Sequence, residues 1–408
     1  MRRVVVTGMG GVSPIGNGWQ AMEAGLRALK NGVRYMPEWE IYEGLNCRIA
    51  AIVPELDLPA HYTRQRVRSM GRIGMMSTFS SEMALADAGL IDNPILTSGK
   101  VGIAYGSSSG SPASIQEFGT MLVDRKTDSI RANTYVRMMP HTTAVNIGIF
   151  FGIRGRIIPT SSACTSGSLA IGYAYEAIKH GQQVIMVAGG AEEISPSQAA
   201  VFETLYATSS MNEQPHLTPC PFEASRDGLV IGEGAATLVL EDLEHALARG
   251  AHIHAEIIGF ATNSDGRHVT QPTQETMAIC MDMAVQDAGV SPDTIGYVNA
   301  HGTATDLGDV AESQATRQIF GRAVPISSLK SYLGHTLGAC GSLEAMMTIG
   351  MMNGGWFAPT LNLQSIDPRC AELDYIVGAG REIETDTVMT NNFAFGGVNT
   401  SLILKRFV

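Results

Sequence analysis

Short runs rich in Val and Ile alternate along this chain with longer Ala- and Met-rich stretches whose apolar residues recur at helical spacing. Brief β-branched runs suit strands buried in a sheet, and the longer stretches suit helices lying against it. Strands are predicted at Val4–Thr7, Val101–Tyr105, Val184–Ala188, Ala236–Leu240, Ile253–Phe260, Ile295–Asn299, Val388–Asn391 and Ser401–Leu404. Helix cores are predicted at Glu82–Ala88, Met138–Phe150, Ser166–His180, Thr276–Ala288, Val310–Ile319 and Gly341–Met352. This alternation predicts an α/β protein with helices packed on sheets. No proline-rich or low-complexity linker interrupts it, so one compact body is expected.

Two stretches repeat one plan. Glu82–Tyr105 and Thr276–Asn299 both run helix then strand, and both carry Asp-Ala-Gly at the helix end, as Asp87-Ala88-Gly89 and Asp287-Ala288-Gly289. Such a repeat predicts an internal duplication. It would set a loop of the first half, at Cys164, opposite the matching loop of the second, near Ser327–Gly341.

The 408 residues, 45% hydrophobic and 16% charged, provide for a large core in two or three structural units. Much of the abundant glycine follows apolar runs, so close backbone approaches are expected at strand ends. The six cysteines show no CxxC or Cys/His ligand spacing, which argues against structural zinc and a disulfide framework and suits a cytoplasmic protein. The apolar run after Arg3 is too short for a signal peptide, and no later run reaches membrane-spanning length. A net charge of −11 disfavours nonspecific nucleic-acid binding. Against that background Thr63–Arg72 is basic, with Arg64, Arg68 and Arg72 at i, i+4, i+8 helical spacing. With Arg125, Lys126 and Arg131 it reads either as a docking surface for an acidic partner or as a solvated face.

Candidate chemistry begins at Cys164, in a small-residue turn, Pro159–Ser168, that runs straight into a helix with Leu169, Tyr173 and Ala177 on one stripe and Gly181 as its stop. There the thiol would meet free backbone N–H groups and the positive helix end, which favours a thiolate and a nucleophilic role. An inert buried cysteine is the plainer alternative. Two histidines sit in glycine-bearing loops of the second half. His301 follows the strand ending at Asn299, where open α/β sheets place their chemistry, and His335 lies in Ser328–Gly341 ahead of a helix. Gly106-Ser107-Ser108-Ser109-Gly110 also satisfies GxSxG and offers Ser108 as the nucleophile of a serine hydrolase. Gly8-Met9-Gly10 hints at a dinucleotide loop, but Ser13 stands where a third glycine is needed, so it reads as a packing turn.

Four motifs occur in family order: Ser162–Gly167, Asn299–Thr305, Lys330–His335 and Asn392–Asn399. On these the chain resembles, over essentially its whole length, the elongating β-ketoacyl-acyl-carrier-protein synthases of the thiolase superfamily. The resemblance implies a duplicated five-layered αβαβα fold, residues 1–252 carrying the nucleophilic cysteine and residues 253–408 the two histidines. It implies decarboxylative condensation of a malonyl thioester with an acyl group held on Cys164, without cofactor or metal beyond the phosphopantetheine arm of the carrier. In that scheme His301 and His335 donate hydrogen bonds to the enolate, and the amides of Cys164 and Phe395 form an oxyanion hole. Lys330, partnered by Glu312, supports the loops, Thr303 and Thr305 hold the arm, and Phe393 joins the substrate-binding set. Ser109 limits acyl-chain depth near a dimer interface, while Arg64, Arg68, Arg72, Arg125 and Lys126 dock the acyl carrier protein. The implied assembly is a homodimer, or a heterodimer with a related synthase-like subunit. A non-catalytic chain-length partner is the remaining family role, and Cys164 argues against it. Ala394 replaces the usual glycine before Phe395, and Leu329, Tyr332 and Leu333 replace commoner Thr, Met and Thr. These departures are expected to alter the pocket and to favour a specialised polyene or polyketide-like chain.

Overall fold

The computed structural model describes residues 1–408. Its first half contributes strands β1 (Val4–Ser13), β2 (Val101–Gly106), β3 (Ile157–Thr160), β4 (Ile185–Glu192) and β5 (Gly234–Asp242), in the spatial order β3-β2-β4-β5-β1. The second contributes β6 (Ala255–Ser264), β7 (Tyr297–Asn299), β8 (Pro325–Ser327), β9 (Thr387–Ala394) and β10 (Val398–Lys405), in the order β8-β7-β9-β10-β6. The two orders match strand for strand. Directions match too: β2 runs parallel to β3 and β4 as β7 does to β8 and β9. The remaining neighbours in each half are antiparallel. The halves join where β1 and β6 pair antiparallel, Val4 opposite Ile257.

Six main helices complete the duplication: α1 (Arg72–Asp87), α2 (Thr142–Phe151), α3 (Ser166–Lys179), α4 (Gln274–Ala288), α5 (Asp306–Phe320) and α6 (Cys340–Gly354). Helix α1 covers β1 and β5 from outside, and α4 covers β6 and β10 in the same way, with α2 and α5 beside them. Between the half-sheets lie α3, packed on β2 and β4, and α6, packed on β5 and β9, the two also touching each other. This is the five-layered αβαβα arrangement. Every residue of α6 from Cys340 to Met352 is buried, as expected of a helix that is apolar on all sides. Where α3 and α6 meet, a Cβ on Gly341 would lie 2.7 Å from the Ser168 amide, and one on Gly167 would lie 3.0 Å from the Gly338 carbonyl. The central helices therefore touch backbone to backbone, and only glycine fits.

The predicted strands and helix cores all fall on observed elements, with informative differences. Helix α1 begins at Arg72, far ahead of the expected Glu82, because Ser77, Thr78, Ser80 and Ser81 are buried and blur its apolar period. Ser80 and Ser81 bond to Thr237 beneath them. Pro140 separates a short helix, Thr134–Met138, from α2, so the expected helix from Met138 starts later. The short strands β3 and β8 carry too few residues to show a period. Gly8 and Gly10 form no turn; they lie inside β1, where a Cβ would come within 2.2 Å of the Ala84 carbonyl and 2.3 Å of the Ser80 carbonyl of α1. The expected arginine stripe is absent as well. Residues 61–71 form turns, so Arg64 and Arg68 share no helix with Arg72. No helix is long and apolar enough to cross a membrane.

Candidate active site

Cys164 sits at the carboxyl end of β3, two residues before α3. Hydroxyls stitch the turn that presents it. Ser166 Oγ donates to the Ala163 carbonyl at 2.7 Å and accepts from the Ser162 amide at 2.9 Å. Thr160 Oγ1 donates to the Ser166 carbonyl at 2.7 Å, and Thr165 Oγ1 to the Ser162 carbonyl at 2.8 Å. Ala163, with φ of +50°, takes the left-handed conformation this tight path requires. The run of small hydroxyl residues is thus the scaffold of the loop.

His335 is delivered by a loop pinned across the halves: its amide donates to Val230 at 2.6 Å, and the Gly232 amide donates to its carbonyl. Gly334, at φ +64° and with the Val230 carbonyl 2.8 Å from a would-be Cβ, permits that approach. The Leu337 amide donates to His335 Nδ1 at 3.3 Å. The ring proton therefore resides on Nε2, which lies 2.9 Å from Cys164 Sγ. His301 leaves the carboxyl end of β7, and the rings of His301 and His335 stand edge to face at 5.2 Å. Asn392 Nδ2 approaches His301 Nδ1 at 3.5 Å, which turns Nε2 of this ring, too, into the donor. The sulfur and the two ring nitrogens gather within 4.8 Å.

Lys330 lies behind them, fully buried, and its partner is Glu344, not the expected Glu312. Glu344 also accepts from Asn392 at 2.7 Å. Glu312 instead accepts the amides of His301 and Gly302, each at 2.7 Å, so it shapes the histidine loop directly. Burial lowers both histidines well below 6.5, and the Lys330 charge lowers them further, so both rings are neutral donors. Burial pushes Cys164 up to about 12, against the pull of Lys330 and of the amides of Phe395 and Cys164 aimed at its sulfur. The resting nucleophile is thus a thiol, not the expected thiolate: desolvation outweighs the helix end and the amides. A cation among the three groups would face the Lys330 charge.

The cavity of about 320 Å³ that reaches Cys164 is lined by His301, His335, Thr303, Thr305, Phe393 and Phe395, among others. Thr303 and Thr305 hydroxyls bond to each other at 2.9 Å. Phe395 stacks on Phe202 at 5.4 Å, and Phe393 meets the His301 ring edge on. Ser109 falls elsewhere, in a larger cleft that reaches neither histidine, and its hydroxyl donates to Glu192 at 3.2 Å. The Ser108 amide serves the same buried carboxylate and no histidine contacts its hydroxyl, which leaves the hydrolase reading without a base. Leu329, Tyr332 and Leu333 pack in the main hydrophobic core and do not line the cavity, so they do not reshape it as expected. Arg72 is engaged by Glu233 at 2.6 Å, while Arg64, Arg68, Arg125 and Lys126 are exposed. Sequence reasoning missed Glu344, Asn392 as the link between it and His301, and Phe202. Glu344 had a signal, the one charge in the apolar run Gly341–Met352.

A duplicated αβαβα frame that sets a cysteine, two neutral imidazoles and a buried lysine around one narrow cavity defines a thiol-dependent acyl-transferring enzyme of the thiolase-like class. Residues 1–246 match the family model for the β-ketoacyl synthase N-terminal domain, and residues 254–364 match that for the C-terminal domain. The chain is 37% identical to 3-oxoacyl-[acyl-carrier-protein] synthase 1 of Escherichia coli (strain K12), over 100% of this chain and 99% of that protein. A crystal structure of a β-ketoacyl synthase from Burkholderia phymatum STM815 is 60% identical, with a TM-score of 0.99 and complete coverage of both chains. The ishigamide ketosynthase/chain length factor aligns at 31% identity and a TM-score of 0.90, also over 100% of each chain. The chain belongs to the β-ketoacyl synthase family, and it is a condensing acyltransferase.

Proposed function

We propose that this enzyme condenses an acyl group carried on Cys164 with malonyl-acyl carrier protein, releasing CO2 and β-ketoacyl-acyl carrier protein. The observation that carries the residue roles is the fixed tautomer of His335, whose Nε2–H stands 2.9 Å from the nucleophilic sulfur. In the first step Cys164 sulfur attacks the acyl thioester, the oxyanion rests on the amides of Cys164 and Phe395, and the thiol proton leaves with the carrier's thiol. In the second, the malonyl carboxylate departs as CO2 and the enolate oxygen accepts N–H bonds from His301 and His335. The enolate carbon then attacks the acyl carbonyl, the Cys164–acyl bond breaks, and the released thiolate takes a proton from water to restore the thiol. Lys330 keeps both imidazoles neutral donors and adds positive potential where negative charge develops. Thr303 and Thr305, side by side in the cavity wall, suit the amides of a phosphopantetheine arm, and Phe393 closes the cavity over it.

The partner in this reading is an acyl carrier protein met by the exposed Arg64, Arg68, Arg125 and Lys126, and no cofactor enters the scheme. The edge strand β3, with Ile157 and neighbouring Ile149 exposed, suits pairing with a second copy or a related subunit, the residues 1–252 half of each protomer facing the other. The six unpaired cysteines suit the cytoplasm. The likeness to a ketosynthase/chain length factor favours a specialised acyl chain; carriers of graded length and unsaturation test it, and ordinary turnover of saturated short to medium chains alone would remove it. The deciding experiment follows CO2 release and β-ketoacyl product by mass from malonyl- and acyl-carrier protein. Product with wild type, a severe loss of condensation with Cys164→Ser and a severe loss of decarboxylation with His301→Ala are expected. Unchanged condensation by Cys164→Ser would overturn the assignment.

A further inference from the structure

Cys340, the first residue of α6, is a buried thiol that the condensation does not use, and it lies directly behind the nucleophile. Its Sγ–H donates to the Cys164 carbonyl at 3.2 Å, and it accepts weakly from Asn392 Nδ2. Both cysteines belong to one apolar cluster with Leu337 and Ala394. Cys164 lines the cavity that opens to solvent, whereas Cys340 does not. A small oxidant entering the cavity therefore meets Cys164 first and can reach Cys340 only through it. Lys330 lies close enough to lower the cost of a thiolate on either sulfur.

We propose that Cys340 is a resolving thiol that converts oxidised Cys164 into a reversible Cys164–Cys340 disulfide. This inference rests on Cys164 being the reactive thiol of the condensation. The oxidant is a hydroperoxide. Cys164 sulfur attacks the peroxide oxygen, the O–O bond breaks, and the Cys164 proton goes to the alkoxide or hydroxide released, which leaves as alcohol or water, while His335 Nε2–H stays a donor to the sulfur. The product is a sulfenic acid on Cys164. Cys340 sulfur then attacks it, the S–O bond breaks, the Cys340 proton leaves with the hydroxyl as water, and the S–S bond forms. Formation requires Cys164 to rotate away from His335 toward its own carbonyl side, which also removes it from the donors. An acyl group on Cys164 blocks the first step, so only the unloaded enzyme is sensitive. Without Cys340 the sulfenic acid proceeds to sulfinic and sulfonic acids, which thiols do not reduce.

The test treats the full-length enzyme with hydrogen peroxide, with and without prior acyl loading, and follows activity, intact mass and cysteine peptides. Wild type is expected to lose activity with the loss of two hydrogen masses, to show a Cys164–Cys340 cross-linked peptide, and to regain most activity with dithiothreitol. Cys340→Ala and Cys340→Ser, active before treatment, are expected to gain oxygen masses on Cys164 and to recover about tenfold less or not at all. Equal recovery in variants and wild type, or a wild-type peptide map without the cross-link, would overturn the proposal. If neither variant folds, the wild-type peptide map decides. Failure of the condensation assignment is read separately, as unchanged condensation by Cys164→Ser, because the cross-link is read by mass and not by turnover.

Discussion

The two halves share strand order, strand direction and helix placement, yet they contribute unlike chemistry, and the boundary between likeness and difference is sharp. Helix α3 opens with Ser166-Gly167-Ser168 and α6 with Cys340-Gly341-Ser342. In each, the glycine makes the interhelix contact and the serine bonds across to the other half: Ser168 to Thr400, Ser342 to the Gly190 carbonyl. What differs lies in the loops just before these helices. One presents a thiol on a hydroxyl-stitched turn, and the other presents an imidazole and a lysine. Packing against a twin fixes the helix starts, while the loops ahead of them are free to diverge.

The comparison breaks most completely at the reactive groups. Cys164→Ser is expected to cut condensation by about a thousandfold or more, and His301→Ala to cut malonyl decarboxylation by about 10²–10³-fold, with paired CO2 and product assays separating the two. Next in size is the charge behind them. Lys330→Met strands Glu344 without its counter-charge in a site where both are buried, and equilibrium denaturation is expected to show a loss of about 3–5 kcal/mol. Adding Glu344→Gln should restore part of it. At the symmetric contact, Gly341→Ala and Gly167→Ala are each expected to cost about 1–3 kcal/mol, Gly341→Ala the more, since its Cβ meets a backbone amide more closely.

The smallest effect concerns pH. An ordinary histidine donor would protonate near 6.5, but His301 and His335 are held well below that by burial and then by Lys330. The rate of decarboxylation is therefore expected to stay flat as pH falls from about 7 to about 6. Stability moves differently. In the unfolded chain both histidines take up protons below about 6.5 while the folded ones do not, so folding free energy is expected to decline from that pH downward. Lys330→Met, by removing the charge, should shift the acid limb of the rate upward, which a pH–rate profile would register.

Most of the frame was legible because buried strands and helices leave their period in the sequence, and because the nucleophile and both histidines sit in glycine- and serine-rich loops beside that period. The repeat was legible only through two Asp-Ala-Gly helix ends, yet Asp87 and Asp287 do hold like positions: each accepts a backbone amide from its half's first strand, Met9 in one and Phe260 in the other. What escaped was decided by tertiary contact. The partner of Lys330 is Glu344, and spacing along the chain gives no hint of which buried carboxylate a lysine will meet. The arginine stripe failed because local spacing described a helix that residues 61–71 do not form, and Arg72 found Glu233 instead of solvent. The state of Cys164 was misjudged because a helix end is visible in sequence, whereas the depth of burial is not.

The placement of α3 and α6 between the half-sheets also governs the order in which the protein becomes an enzyme during its synthesis. The thiol leaves the ribosome with the first half, long before His301, Lys330 and His335 exist. Until α6 arrives, α3 has a bare apolar flank and Cys164 has neither its histidine donors nor the Phe395 amide. A nascent or truncated chain therefore cannot run the condensation on carrier-bound acyl groups, and it leaves exposed the apolar surface that the completed pair of central helices buries. Activity and structural completion arrive together, in the last strand pair, β9 and β10, that carries Phe393, Ala394 and Asn399 into place.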